Sequence, residues 1–233
     1  MENAKFGDKK DRMKWEVLLE LAQRYKIRRI VQVAMLTDDK PPPDVTAEPM
    51  QHEHQGVAAL VGEFFRNYGY PKGGGLRDIQ VLGEQLGIKI EVWLDRFTHQ
   101  ERCNYFDRIT DRIREYDAPT VWFFDPDNGI EPDKTEIKHV RQIELRQVFD
   151  ALPTGDFLAV FQHNQQRPCW DTMARDRFRR ACSVPVDQVK VFERPGYKQA
   201  IIFAVRKLEP ANCAGESYEK TSCERAGNRR LSG

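Results

Sequence analysis

Apolar positions along this chain recur with two alternating periods. Met13, Val17, Leu21 and Tyr25 are spaced as one face of a helix that Asp8 is placed to cap. Ile27–Leu36 then carries Ile30, Val31, Val33 and Met35 in a strand-like run. Helical spacing returns over Gly56–Tyr68 and over Leu76–Leu86, the latter stopped by Gly87. Ile88–Leu94 predicts a second strand. Tyr105, Phe106, Ile109, Ile113 and Tyr116 form the stripe of the next helix, with Asp107, Arg108, Asp111 and Arg112 off it. Val121–Phe124 holds no polar residue, as expected of a strand covered on both faces. A helix around His139–Ala151, a strand over Phe157–His163 and a helix over Trp170–Cys182 follow. Val186–Glu193 and Gln199–Arg206 read as the last two strands, turning at Pro195-Gly196.

This alternation predicts an α/β fold: a mostly parallel central sheet flanked by helices, closed by a C-terminal hairpin. The 233 residues suit one catalytic domain over 1–207, and the polar, small-residue-rich stretch 208–233 is expected to be disordered. Thr37–Gln55, with Pro41-Pro42-Pro43, is a long loop of the functional or mobile kind, and Lys72-Gly73-Gly74-Gly75 reads as a hinge. Hydrophobic content of 40% and charged content of 31% exclude a disordered chain. No apolar run approaches the roughly 18 residues of a membrane span, and the charged start is unlike a signal peptide, so a cytoplasmic protein is expected. Five cysteines without a Cys-x-x-Cys pair fit reduced thiols. The formal net charge of +1 neither requires nor excludes a nucleic-acid partner, because local patches decide that.

Candidate chemistry lies at two strand ends. Asp125-Pro126 stops the central strand, since proline has no N–H for the ladder, and Asp127-Asn128-Gly129 is turn sequence. Asp125, Asp127, Asn128 and Glu131 are thereby delivered to the carboxyl edge of the sheet, where open α/β folds bind ligands. The second end is Gln162-His163, followed by Arg167. These two ends are expected to meet in one active site. His52-x-His54 lacks the surrounding ligand pattern of a metal site. Basic residues cluster around the first helix, Lys10 among them, and again at Arg175–Arg180. The second cluster, Arg175 and Arg179 included, is placed to neutralise phosphates.

Three chemistries suit carboxylates opposite a histidine. One is hydrolysis of an N-glycosidic bond. Another is phosphodiester cleavage with Asp125, Asp127 and Glu131 holding magnesium. The third is methyl transfer, for the Asp125-Pro126 strand end resembles the catalytic strand end of amino-methyltransferases. Against the third, the first strand runs into Leu36-Thr37-Asp38-Asp39, without the glycines of a cofactor-binding turn.

Val121–Asn128 together with Phe157–His163 resembles the two signature strand ends of the uracil-DNA glycosylase superfamily. The chain as a whole resembles small prokaryotic antiviral DNA glycosylases of that superfamily. Three differences stand out: Phe124 precedes Asp125, Asp127-Asn128 follows the proline, and the histidine loop reads Asn164-Gln165-Gln166-Arg167-Pro168. The resemblance implies a three-layer uracil-DNA glycosylase-like fold and a metal-independent hydrolase, with no cofactor and no obligatory protein partner. It would excise modified bases such as glucosylated hydroxymethylcytosine from double-stranded phage DNA, leaving abasic sites. Asp127 would position water, with Asn128 assisting and Asp125 behind them, and His163 would stabilise the departing base. Glu131, Gln162, Arg167, Arg175, Arg179, Lys10 and Trp15 would bind the flipped-out substrate. A metal nuclease and a non-catalytic nucleic-acid-binding module are the alternatives.

Overall fold

A computed structural model describes residues 6–37, 55–69, 74–132, 136–195, 197 and 199–209. Most of the proline-rich loop, Gly73 of the glycine turn, His52, His54 and nearly all of the C-terminal tail lie outside the described residues.

The sheet alternates with helices as the apolar periods require. Helix α1 (Lys9–Arg24) precedes strand β1 (Arg29–Val33), and helices α2 (Val57–Tyr68) and α3 (Ile79–Gln85) precede β2 (Lys89–Trp93). Helix α4 (Arg102–Arg114) leads to β3 (Thr120–Phe124). Two short strands, β4 (Gly129–Ile130) and β5 (His139–Val140), pair with each other before α5 (Gln142–Ala151) and β6 (Phe157–His163). Helix α6 (Trp170–Cys182) and the strands β7 (Lys190–Phe192) and β8 (Ala200–Arg206) close the fold. Asp8 caps α1 by accepting from the Asp11 amide at 2.9 Å.

The main sheet runs β2-β1-β3-β6-β8-β7, with β2, β1, β3 and β6 parallel and β8 antiparallel to both of its neighbours. Both faces are covered. Val121 and Phe123 face one core, shared with α1, α2 and α3. Trp122 and Phe124 face the other, shared with α4, α5 and α6. Five consecutive buried residues in β3 follow from this double cover. The expected α/β architecture, a mostly parallel sheet flanked by helices and ending in a hairpin, is the one found.

Local differences have local causes. His139 was expected in a helix, but it pairs beside Gly129 in the small ribbon, and α5 begins only at Gln142. Val186–Gln188 is a single 3-10 turn, because Pro185 and Asp187 favour a turn over a ladder. Gly129 has φ +86, and a Cβ there would lie 2.5 Å from the Gln162 amide. Gly129→Ala is therefore expected to destabilise the protein by about 1–3 kcal/mol from backbone strain alone. Urea unfolding measures this, and an unchanged midpoint would contradict it.

The chain order reverses between β1 and β3: β1 is followed by a neighbour on one side, β3 by a neighbour on the other. Such switch points leave a crevice at the carboxyl edge of the sheet. Among the described residues no helix is long and apolar enough to cross a membrane.

Candidate functional site

A cleft of about 500 Å³ opens at that edge, lined by the ends of β3 and β6, by the first turns of α1 and by the chain around β5. Its volume is that of a small-molecule site. Asp125, Asp127, Asn128, His163, Arg167 and Lys10 all border it, so the two strand ends do meet.

At the floor is a network of charges that the sequence reading missed. Lys14 Nζ lies 2.8 Å from one Asp125 oxygen and 3.0 Å from an Asp11 oxygen, with all three side chains buried. Gln32 donates to Asp125 at 3.0 Å, and the Gly7 amide donates to Asp11 at 2.9 Å. The Lys14 ammonium also sits 4.4 Å over the Phe161 ring. Burial acts to discharge Lys14, but Asp125 and then Asp11 outweigh it and raise its pKa. For Asp11 burial dominates, pushing its carboxyl up to about 7 against the attraction of Lys14. One lysine thus holds Asp125 as its first partner, while Asp11 keeps a proton easily.

From pH about 4 to about 7 the folded protein holds a proton at Asp11 that the unfolded chain has released. This group's contribution to stability therefore falls as pH rises through that interval. Asp11→Asn should flatten that part of the stability–pH curve, read from urea midpoints at pH 5 to 8. An unaltered slope would count against the assignment.

Asp127 sits higher in the cleft. Its carboxylate accepts from the Thr37 hydroxyl at 3.2 Å and lies 3.7 Å from Lys138 Nζ. Burial acts to raise its pKa, yet neighbouring cationic charge, Lys138 included, and the Thr37 hydroxyl leave it below the ordinary carboxylate range. On the β6 side, Lys10 Nζ is 2.6 Å from His163 Nε2, and His163 Nδ1 is 3.1 Å from the Asn164 carbonyl oxygen. Lysine has no acceptor, so Nε2 accepts and Nδ1 carries the hydrogen. Burial, with Lys10 and Lys14 nearby, pulls the His163 pKa below its usual value, which keeps the ring neutral in this tautomer.

Other expected site residues have structural roles. The Glu131 carboxylate accepts from the Gln142 amide at 2.7 Å at the start of α5. Gln162 is fully buried and turned to the acidic loop, accepting from the Ile130 amide at 2.8 Å. It ties the β3 and β6 ends together. Trp15 is fully buried in the α1 core and presents no stacking surface. Arg175 donates to the Val186 carbonyl at 2.9 Å, and Arg179 pairs with Asp176 at 2.7 Å, so these two α6 arginines serve their own neighbourhood outside the cleft. The magnesium-holding trio does not assemble either: Asp125 is taken by Lys14 and Glu131 by the α5 start.

Two signals pointed to the missed network. Asp11, Lys14 and Leu18 share one helical face, so two ionisable residues lie in line with the core. Gln32 interrupts the buried run Ile30–Val33.

No protein-family model matches this chain, and no curated protein matches it. Among solved structures it is similar to a putative methyltransferase from Thermobifida fusca YX, at 12% identity over 84% of this chain and 80% of that one, with a TM-score of 0.38. It is also similar to a DUF574 family protein from Streptomyces avermitilis MA-4680, at 12% identity over 84% and 82% of the two chains, TM-score 0.36. The apo form of the S-adenosylmethionine-dependent methyltransferase SibL is 13% identical over 82% of this chain and 54% of its own, TM-score 0.36. Likeness at this level assigns no residue role and no activity to this chain.

The uracil-DNA glycosylase expectation is nevertheless corrected. The named similarities are to methyltransferases and a DUF574 protein, and none is to a glycosylase. Within the cleft Asp125 is locked beneath Lys14, and several residues expected to bind a flipped-out base are committed elsewhere. Base excision, abasic-site formation and antiviral hydrolysis are not carried further, and neither are the nuclease and binding-module alternatives.

Proposed function

We propose that this chain is a methyltransferase acting on a nitrogen nucleophile held at the carboxyl end of β3. The observation that carries this reading is the strand end itself. Asp125 is clamped by Lys14 and Gln32, so Pro126, Asp127 and Asn128 project from a fixed point into a polar cleft beside the β1/β3 switch point. A sulfonium donor of the S-adenosylmethionine type supplies an electrophilic methyl group when bound.

The residues present suit such a donor in two respects. Asp8, Asp125, Asp127 and Glu136 border the cleft along with Asp11, whose raised pKa leaves it partly protonated, and these acidic groups offer a side on which a cationic centre can rest. Asp95 lies two residues past the end of β2, close to the position from which an acidic side chain reaches a ribose hydroxyl in nucleoside-binding sheets, and it is held by Arg108 at 3.1 Å. In place of glycine, Met35 takes the left-handed conformation, φ +46, as the chain leaves β1.

The chain's own part is orientation. Asp127, ionised, accepts N–H hydrogens of the acceptor and aims its lone pair, and it draws off the proton as the nitrogen becomes positive. Asn128 and Pro126 border the same space. Cys103, Cys169 and Cys182 are free thiols, in keeping with a reducing, cytoplasmic setting.

The test is direct. Purified protein is titrated with S-adenosylmethionine by calorimetry, then incubated with methyl-labelled donor and fractionated small amines, nucleic acids and proteins. Saturable donor binding and label on nitrogen are expected. Absence of donor binding would reject the reading.

A further inference from the structure

The span that presents Asp127 is held at both of its ends. At the near end the Asp125 carboxylate is fixed by Lys14 and Gln32. At the far end the Asn128 amide donates to the Lys138 carbonyl at 3.1 Å, and the side chain of Gln162 reaches across from β6. Gln162 Oε1 accepts from the Ile130 amide at 2.8 Å, while Nε2 donates to the His163 carbonyl at 2.7 Å and, less closely, to the Asn128 carbonyl at 3.4 Å. An amide turned the other way would set its oxygen against two carbonyl oxygens, so these partners leave one orientation. The group is fully buried, where an amide is costly unless both of its ends are bonded. Gly129 completes the fit: a Cβ there would lie 2.5 Å from the Gln162 amide, and glycine leaves that space to it.

We propose that Gln162 is a positioning residue of the cleft, setting the place of the Asp127 carboxylate and using the end of β6 as its anchor. It lies behind the cleft wall, so it acts through Asp127 instead of touching a ligand. One amide grips two backbones: the chain after Asp127 through Asn128 and Ile130, and β6 through His163. Only Pro126 and Asp127 lie between this grip and the clamp on Asp125. A change at Gln162 therefore has few residues over which to relax before it reaches Asp127. A residue that merely filled space there would need the volume of glutamine and neither of its polar ends. The placement of Asp127 holds whatever the cleft binds, whereas its effect on methyl transfer rests on the methyltransferase reading.

In the full chain without donor, the Asp127 carboxyl carbon is titrated by NMR in the parent and in Gln162→Met, which fills similar space and makes neither bond. Thr37 and neighbouring cationic charge, Lys138 included, hold Asp127 below the ordinary range, and the substitution alters none of them. If Gln162 sets the place of Asp127, the carboxyl leaves those partners in the variant and titrates higher, toward an ordinary carboxylate. Parent-like titration in the folded variant would overturn the proposal. Gln162→Asn, whose amide falls one methylene short, carries the same expectation where Gln162→Met does not fold. Gln162→Glu is the rescue. Buried, and so protonated over the range in which Asp127 titrates, it offers one acceptor and one donor and should bring Asp127 back toward the parent. A titration no closer to the parent than that of Gln162→Met would overturn the part given to the hydrogen bonds. With donor present, Gln162→Met should slow single-turnover transfer about tenfold or more, since a misplacement of about 1 Å can cost about 100-fold, while donor affinity by calorimetry stays that of the parent. Unaltered transfer would overturn the proposal as well. A parent protein that binds no donor rejects the methyltransferase reading alone, and the carboxyl titration then decides the role of Gln162.

Discussion

Replacing Lys14 with methionine is expected to destabilise the protein by roughly 3–5 kcal/mol, the usual effect of leaving a buried charge without its partner. The reason is specific to this site. Lys14 is the cation 2.8 Å from Asp125, and it shares its charge with Asp11, both carboxyls being buried with it. Methionine is one atom shorter than lysine and keeps its apolar stem beside Phe161, so packing is not the main cause. Adding Asp125→Asn to Lys14→Met should recover a substantial part of the loss, because the orphaned charge is then gone. Urea unfolding of both variants separates the cases. A single variant within 1 kcal/mol of the parent would show that Asp125 does not depend on Lys14.

Asp127→Ala is expected to lower methyl transfer by about 10²–10⁴-fold while the protein remains folded, the range lost with a positioned proton acceptor. Asp127 is bound through Thr37 and Lys138 at the mouth of the cleft, not through the core, so its removal leaves both apolar layers intact. Its carboxyl sits below the ordinary range, so it is ionised wherever an ordinary carboxyl is. A rise in rate between pH 5 and 8 that persists in Asp11→Asn and His163→Asn, the other titrating groups of the cleft, would then report the acceptor amine losing its proton. Single-turnover rates across that range, with circular dichroism as the check on folding, decide the matter. Undiminished transfer in the variant would remove Asp127 from the mechanism.

Much of the fold was legible in one dimension. Val121–Phe124 announced a strand covered on both faces because no polar side chain interrupts it, and the burial of Thr120–Phe124 follows from the same fact. Asp125-Pro126 announced its end, since proline donates nothing to a ladder. The meeting of that end with His163 was also foreseeable, as both terminate neighbouring strands at one edge of a parallel sheet. The β4–β5 ribbon was not, because two-residue strands have no period to read.

Side-chain commitments were the other blind spot. Glu131 and Gln162 look like site residues when seen only as polar groups after apolar runs. Folding turns one to the start of α5 and the other to the acidic loop. Arg175 and Arg179 look like a phosphate-binding face until their carbonyl and carboxylate partners are in place.

Periodicity of apolar residues is a local property, and it was enough for the layers, the buried central strand and the edge of the sheet where polar groups emerge. Which of those groups remain available for chemistry depends on partners far apart in the chain, such as Lys14 with Asp125 or Lys10 with His163. An ion pair acts over a few ångströms of space whatever the number of intervening residues, so only the packed molecule reveals it.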